Sequence, residues 1–439
     1  MANYLVNPKS AQEGMLKKVG VSSFEELYHE IPKELIFKDE LDIPSAKSEL
    51  EIYRQMKTLS EKNKVYPTIF RGAGSYRHFI PSVVNHLASR AEFVTAYTPY
   101  QPEISQGTLQ TIFEYQTAIC ELTGMEVSNA SVYDGATAAG EAVLMCMARK
   151  KSSVLVSSTA HPDVIGVIQQ YGNSVGFEVI IIDQKDYHLD VEHLKSLLNE
   201  EVAGVYIPQI NYYGFIESFT GIKELLDEYK AKLIVSVYPI AAALLPSAFE
   251  LGADIVVGEG QPLGLPLGFG GPYIGFMATT KKLMRSLPGR IVGIAPDAQG
   301  RRAFVLTLQA REQHIRREKA ISSICSNQSL MATRVAIYCS TLGTTGLQKV
   351  AQANLDLAHY LQDQLSQIDG FEKVEGEFFN EFVMKTKCHP KFIEQLLDQH
   401  DILAGYPLDS QHSLWCATEM NTKAEIDQLV EILKGAELC

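Results

Sequence analysis

Between residues 150 and 260 the chain alternates short β-branched runs with stretches of helical period. The apolar runs lie at 154–157, 179–182, 205–207, 233–237 and 255–257. Helix-like stretches at 162–171, 191–199 and 222–229 separate most of them. Continuous apolar strands with helices between them predict a largely parallel sheet covered on both faces, an α/β arrangement. Upstream, Leu109, Ile112, Phe113, Ile119 and Leu122 recur at helical spacing, and Gly124 stands where a helix end favours glycine. A further helix opens at 134–142, where small residues dominate, and runs to about Lys150. Small residues there let an anion approach the helix N-terminus, and close helix packing accounts for them nearly as well.

The first 65 residues are charged and amphipathic. Ser22 or Ser23 is placed to cap a helix through Glu25, Glu26 and Leu27, closed by Ile31-Pro32. A second helix is expected at 45–61. Beyond Leu330 the pattern predicts a helix to about Cys339 and a longer one from Gly346 to about Ile368. Strand-like and helical pieces follow and end in an amphipathic helix at 423–433. The expected division is a helical arm at 1–65, a large domain at 66–329 and a smaller α+β domain at 330–439.

Composition narrows the class. The chain has 439 residues, 46% of them hydrophobic, enough for about two or three domains. A net charge of −13 argues against general nucleic-acid binding and against adsorption to anionic membranes. No apolar run is long enough to span a bilayer, and the N-terminal residues lack a signal-peptide core. Seven dispersed cysteines form no Cys-x-x-Cys pair and no zinc spacing. That set fits reduced thiols, a cytoplasmic location and no metal site.

Three stretches carry candidate chemistry. Residues 258–275 hold seven glycines and three prolines, a density that requires an ordered loop able to approach a ligand anion. Residues 97–107 place Tyr97 and Tyr100 around Pro99, with Pro102 following, which suggests a stiff, extended lip of a binding site or a rigid connector. Residues 301–318 gather Arg301, Arg302, Arg311, His314, Arg316 and Arg317, read first as a solvated helix face. No Gly-x-Gly-x-x-Gly follows an early strand, so a nicotinamide-binding fold is not indicated.

Several long motifs occur in a fixed order: Tyr97-Thr-Pro-Tyr-Gln-Pro-Glu-Ile-Ser-Gln-Gly107, Tyr133-Asp-Gly-Ala-Thr137, Gly258-Glu-Gly-Gln-Pro-Leu-Gly264, Gly268-Phe-Gly-Gly-Pro272, Arg311-Glu-Gln-His-Ile-Arg-Arg-Glu-Lys319 and Glu419-Met-Asn-Thr422. Together they resemble the glycine cleavage system P-protein family, in its two-subunit form and on the side of subunit 1. The resemblance covers nearly the whole chain. It implies the aspartate aminotransferase-like fold (fold type I) of pyridoxal-phosphate (PLP) dependent transferases. It also implies a paralogous subunit 2 that carries PLP, in a heterodimer or a dimer of heterodimers, with no cofactor held covalently here. Glycine is then decarboxylated on PLP held by subunit 2. The aminomethyl group passes to the lipoyl arm of H-protein, and T- and L-proteins complete the system.

The resemblance also assigns positions. The Schiff-base lysine position falls on Gln261, whose amide forms no imine. No lysine lies between Lys232 and Lys281. The strand that should carry an aspartate for the pyridine nitrogen has none. It ends in Tyr238, where the family tends to have Asp. His161 matches the ring-stacking position. Tyr97, Thr98, Tyr100, Gln101 and Glu103 are candidates for lining the partner's site, with Gly270 and Gly271 facing its PLP and the run 311–319 a weaker candidate. Two other readings stay open: a self-sufficient PLP enzyme with its lysine at Lys281 or Lys282, and a purely structural partner subunit.

Overall fold

The computed structural model describes residues 7–39, 41–96 and 99–436. The chain divides into two compact units, Met1–Val65 and Tyr66–Cys439. In the first unit lie helices α1 (Lys9–Val19) and α2 (Glu49–Ser60). Ser48 and Glu51 form a reciprocal capping box at the start of α2, satisfying two otherwise open N–H groups. α2 matches the helix expected at 45–61. The helix expected through 25–27 is instead a single 3-10 turn, Glu25–Tyr28. Pro32 disfavours helical geometry at the residue before it, and the Ser22 hydroxyl bonds the Glu26 carboxylate.

The second unit is built on seven strands: β1 (Val127–Ser128), β2 (Ser153–Ser157), β3 (Glu178–Ile182), β4 (Val202–Pro208), β5 (Lys232–Ser236), β6 (Ile255–Glu259) and β7 (Gly275–Thr279). Their order is β1-β7-β6-β5-β4-β2-β3. The five apolar runs of the sequence become β2 to β6, and their pairings with one another are all parallel. β7 is antiparallel to both neighbours. Helices α3 (Gln106–Thr123), α4 (Gly135–Cys146), α5 (Pro162–Val175) and α6 (Ser329–Leu365) cover the faces.

Strand alternation builds two cores. Leu155, Val205, Val235 and Val256 pack with Tyr115 and Ile119 of α3 and with Val335 and Tyr338 of α6. Their neighbours Val154, Val156, Ile234 and Val257 pack with Ala138 and Ala142 of α4 and Ile168 of α5. Each large aliphatic side chain buried this way contributes roughly 1.5–3 kcal/mol. α6 is interrupted at Gly343, whose φ of 59° and ψ of −176° suit glycine alone. Beyond the break, Ala358, Leu361 and Leu365 join a third core with Phe382, Trp415 and Leu429.

A hairpin of β8 (Ile291–Pro296) and β9 (Arg302–Thr307) follows the central sheet. It corrects the reading of 301–318 as a solvated helix face. Phe304 is drawn into a small core, which makes that part a strand; at 309–319 one α-helical turn, Gln313–Arg316, stands between two 3-10 turns, with His314, Arg316 and Arg317 exposed. The C-terminal sheet contains β10 (Phe371–Lys373), β11 (Glu381–Thr386), β12 (Tyr406–Pro407) and β13 (His412–Cys416) in the antiparallel order β10-β11-β13-β12. Helices α7 (Pro390–Asp398) and α8 (Lys423–Gly435) pack there through Ile393 and Leu429.

Among the described residues, no helix is long and apolar enough to cross a membrane, and no group of three His, Cys, Asp or Glu side chains is placed to hold a metal ion. Cys120, Cys146, Cys325, Cys339 and Cys416 are free thiols. Cys388 is disulfide-bonded, against the expectation of reduced thiols. Dispersal in sequence sets no limit on which cysteines a fold brings together.

Candidate functional site

β2, β5 and β6 share one direction, so the loops after them emerge on one edge of the sheet. His161, Tyr238 and Gln261 stand in those loops. His161 caps α5: its Nδ1 accepts the Asp163 N–H at 3.1 Å, which leaves Nε2–H to donate to the Ala73 carbonyl at 3.3 Å. Gly74 lies against the ring, and a Cβ there would fall 2.6 Å from Cδ2.

Gln261 is 4% exposed. Its Nε2 donates to the Leu265 carbonyl at 2.6 Å and its backbone N–H to Glu259 Oε1 at 2.9 Å. Glu259 also accepts the Ile274 N–H at 3.3 Å and the N–H of Gly135, the first residue of α4, at 2.9 Å. A helix N-terminus attracts anions through its open N–H groups and dipole. Here the chain's own carboxylate takes that place, and Asp134 caps Thr137 beside it at 2.7 Å. Burial pushes Glu259 up to about 7, against three backbone N–H groups that favour its charged form.

The Tyr238 hydroxyl bonds His78 Nε2, and His78 Nδ1 bonds Glu419 Oε2 at 2.9 Å. Glu419 also accepts from the Phe79 N–H at 2.7 Å and from Asn354 Nδ2 at 2.9 Å. The Tyr76 ring stands 4.9 Å from that of Tyr238, and its hydroxyl donates to Glu381 Oε2 at 2.6 Å. The Ala73 N–H donates to Glu381 Oε1 at 2.5 Å. Burial pushes Glu381 up to about 7 despite these two donors. His78, Glu381 and Glu419 escape sequence reasoning as a set, because about 300 residues of chain separate partners that only the tertiary fold joins.

Lys281 and Lys282 follow β7. That strand starts opposite Glu259 and ends opposite Ile255, so it delivers both lysines to the far edge of the sheet. There Lys281 pairs with Glu126 at 3.3 Å.

Of the tyrosine segment, Tyr97 and Thr98 lie outside the described residues. From Pro99 to Ile104 the chain turns rather than extends, with the Ile104 N–H donating to the Gln101 carbonyl at 3.2 Å. Prolines fix φ but leave ψ free, so two of them do not enforce a straight path. Tyr100 points inward. Its hydroxyl donates to Asn327 Oδ1 and accepts the Asn327 N–H at 2.9 Å. The Arg290 guanidinium lies 4.7 Å from its ring centre and pairs with the buried Glu312. Arg311 donates to the carbonyls of Leu287 and Gly289, the latter at 2.7 Å. Gln101 and Glu103 are exposed and do not join this cluster. Arg290 Nε, Arg311 Nε and Glu312 Oε1 are buried without a hydrogen-bond partner. Gly270 and Gly271 sit in an exposed loop with φ of 104° and 140°, next to a fully exposed Phe269. The sequence signalled neither Arg290, which lies outside every quoted motif, nor the presentation of Phe269.

The family model described as glycine cleavage system P-protein matches residues 2–433. The chain is 48% identical over 438 residues to a probable glycine dehydrogenase (decarboxylating) subunit 1 of Desulfitobacterium hafniense, covering 98% of each. A protein of the same description from Halalkalibacterium halodurans is 47% identical, with 98% of each chain covered. Among solved structures, a crystal structure of glycine decarboxylase (P-protein) of the glycine cleavage system, in inhibitor-bound form, superposes with a TM-score of 0.91 at 38% identity over 99% of both chains. A C-DES mutant with glycine covalently linked to its PLP cofactor superposes with a TM-score of 0.61 at 16% identity, covering 87% of this chain and 99% of that one, a likeness of fold alone.

Proposed function

The chain belongs to the glycine cleavage system P-protein family, as subunit 1 of a two-subunit glycine dehydrogenase (decarboxylating), and we propose that within the heteromer it is the subunit that holds no PLP. The observation that carries this reading is the state of Gln261. At the position that the resemblance assigns to the Schiff-base lysine, its amide is already bonded to Leu265. The residues around it do not fit the cofactor either. Glu259 and Asp134 place carboxylates at the end of α4, where a phosphate would need bare N–H groups. Tyr238 offers a hydroxyl tied to His78 where a carboxylate should face the pyridine nitrogen. Gly74 lies on the imidazole that should stack on the ring.

PLP on subunit 2 supplies the electron sink for loss of CO₂. This chain contributes surface to that site. Its candidates are the exposed loop at 268–272 and the segment around Tyr100. Tyr97, Thr98, Gln101 and Glu103 flank the same segment. H-protein receives the aminomethyl group on its lipoyl arm, with T- and L-proteins downstream, in the cytoplasm. The chain alone is inactive in this reading. A relocated lysine at 281 or 282 gains no support, since both lie on the far edge of the sheet from His161.

The test is borohydride reduction of the assembled complex with PLP, followed by peptide mapping. The reduced adduct is expected on subunit 2 and absent from this chain. A stable adduct on Lys281, Lys282 or any other lysine of this chain would falsify the reading.

A further inference from the structure

A cleft of about 540 Å³ opens between Tyr187, Tyr212 and Tyr213 on one side and Leu408 and Asp409 on the other, with Asp186 at its rim. Its size is that of a small-molecule site. Its lining has two carboxylates and no lysine or arginine.

The rings are held in place before any ligand arrives. Buried Asn211 accepts the Tyr213 N–H at 2.9 Å and donates to the Tyr187 carbonyl at 2.8 Å, so one side chain anchors two tyrosines. The Tyr212 N–H donates to the Thr159 carbonyl at 2.8 Å. Ring centres of Tyr187 and Tyr213 stand 4.8 Å apart and those of Tyr212 and Tyr213 5.6 Å apart, both near edge-to-face. Tyr187 carries its ring on a left-handed backbone, with φ of 66°, which is costly for an aromatic residue. Asp409 is pinned by the N–H groups of Gln411 and His412 at 2.7 and 2.8 Å and by His412 Nδ1 at 2.9 Å.

The geometry points to a binding site for a small organic cation, an alkylammonium or guanidinium compound, with its charge between Asp186 and Asp409 and its carbon body on the tyrosines. Tyrosine faces attract cations and tolerate apolar groups. The two carboxylates repel anions. A bare metal ion is not served, because no three ligating side chains converge among the described residues. The site is independent of the cofactor reading. It neighbours His161, whose ring meets Tyr212 edge-on at 5.0 Å, but Gln261, Tyr238 and Glu259 do not line it.

The test titrates the assembled two-subunit complex with tert-butylammonium chloride and with its neutral isostere tert-butanol, at matched ionic strength, by saturation-transfer NMR. The ammonium probe should bind saturably and at least about tenfold more tightly than the alcohol. Asp409→Asn and Tyr213→Leu should each weaken it about fivefold or more, with subunit assembly and melting unchanged. Asp186→Asn, at an exposed turn, gives the same readout if either of those variants fails to fold. Equal binding of both probes, or unchanged binding in the variants, overturns the proposal. So does absence of saturable binding to the complex. If that absence comes with loss of assembly in Asp409→Asn, the cleft instead receives a basic side chain of the partner subunit.

Discussion

The edge around His161 and the face around Tyr100 are both rich in polar groups, and they differ in where those groups find partners. At the first, Gln261 bonds Leu265, Tyr238 bonds His78, Glu259 bonds three amides and Glu381 bonds Tyr76 and Ala73, and Asn354 Oδ1 is the atom of that network left unpaired. At the second, Arg290, Arg311 and Glu312 each keep one buried atom unpaired, and Phe269 stands in solvent. An unpaired buried polar atom costs about 1–3 kcal/mol. These atoms present no surface to a neighbouring chain, so whatever satisfies them lies inside the fold. The first region meets most of its polar demand with its own residues, and the second leaves an ionic cluster short of partners inside the fold.

The largest effect should come from breaking the second region. Arg290→Ala leaves Glu312 charged and buried and removes the cation from the Tyr100 ring. Loss of one partner of a buried pair costs about 3–5 kcal/mol. Denaturant unfolding of the complex should show that loss, and glycine–bicarbonate exchange should fall with it. Retention of wild-type stability would mean that Glu312 does not depend on Arg290.

The first region should show itself in pH. Burial raises Glu381 from 4.5 to about 7. The folded state then binds more protons than the unfolded one between those values, so stability falls as pH rises from about 4.5 to 7 and levels off above. The full span is about 3 kcal/mol, at 1.36 kcal/mol per unit. Glu381→Gln removes this titration. The stability difference between wild type and variant should therefore change with pH across 5 to 7, measured by denaturant midpoints. A constant difference would place the folded carboxyl at its ordinary value. Glu259, also raised to about 7, adds a second contribution of the same sign that the variant leaves in place.

Phe269→Ser separates packing within the chain from docking. The side chain is fully exposed, so the melting of this chain should not change. Aromatic anchors at interface centres carry about 2 kcal/mol or more when removed. Subunit affinity should fall about thirtyfold by sedimentation equilibrium, with unchanged affinity setting this loop apart from the interface.

The fold was legible because its signals are local. β-branched runs of strand length, helical spacing in α3 and the break near Gly343 all express short-range rules. The parallel sheet and the bipartite α6 follow from them. The missing lysine was legible for the same reason, since an absence over 48 intervening residues is visible in one line of sequence. The polar networks were not. His78 meets Tyr238 and Glu419 across 160 and 341 residues, and only the packed fold brings them together. The run 301–318 misled about helix, not about exposure: Arg301, Arg302, His314, Arg316 and Arg317 are exposed, but a hairpin strand occupies its first part, and Arg311 turns inward to the carbonyls of Leu287 and Gly289.

The smallest expected effect concerns Tyr100, where the two regions' logic meets. Tyr100→Phe keeps the ring under Arg290 and deletes the hydroxyl that both donates to and accepts from Asn327. If the hydroxyl holds the segment in place, its loss costs about 1 kcal/mol of stability and leaves the assembled enzyme's exchange rate within about twofold. If it acts on glycine or the cofactor across the interface, exchange falls about tenfold or more with little change in stability. The engagement with Asn327 favours the first outcome, because the hydroxyl's proton is already committed within the chain. Asn327→Ala should then lower stability by a similar amount. The double variant should cost less than the sum of the two, since both remove the same contact. Full additivity, or a tenfold loss of exchange at unchanged stability, would transfer the hydroxyl from the scaffold to the partner's site.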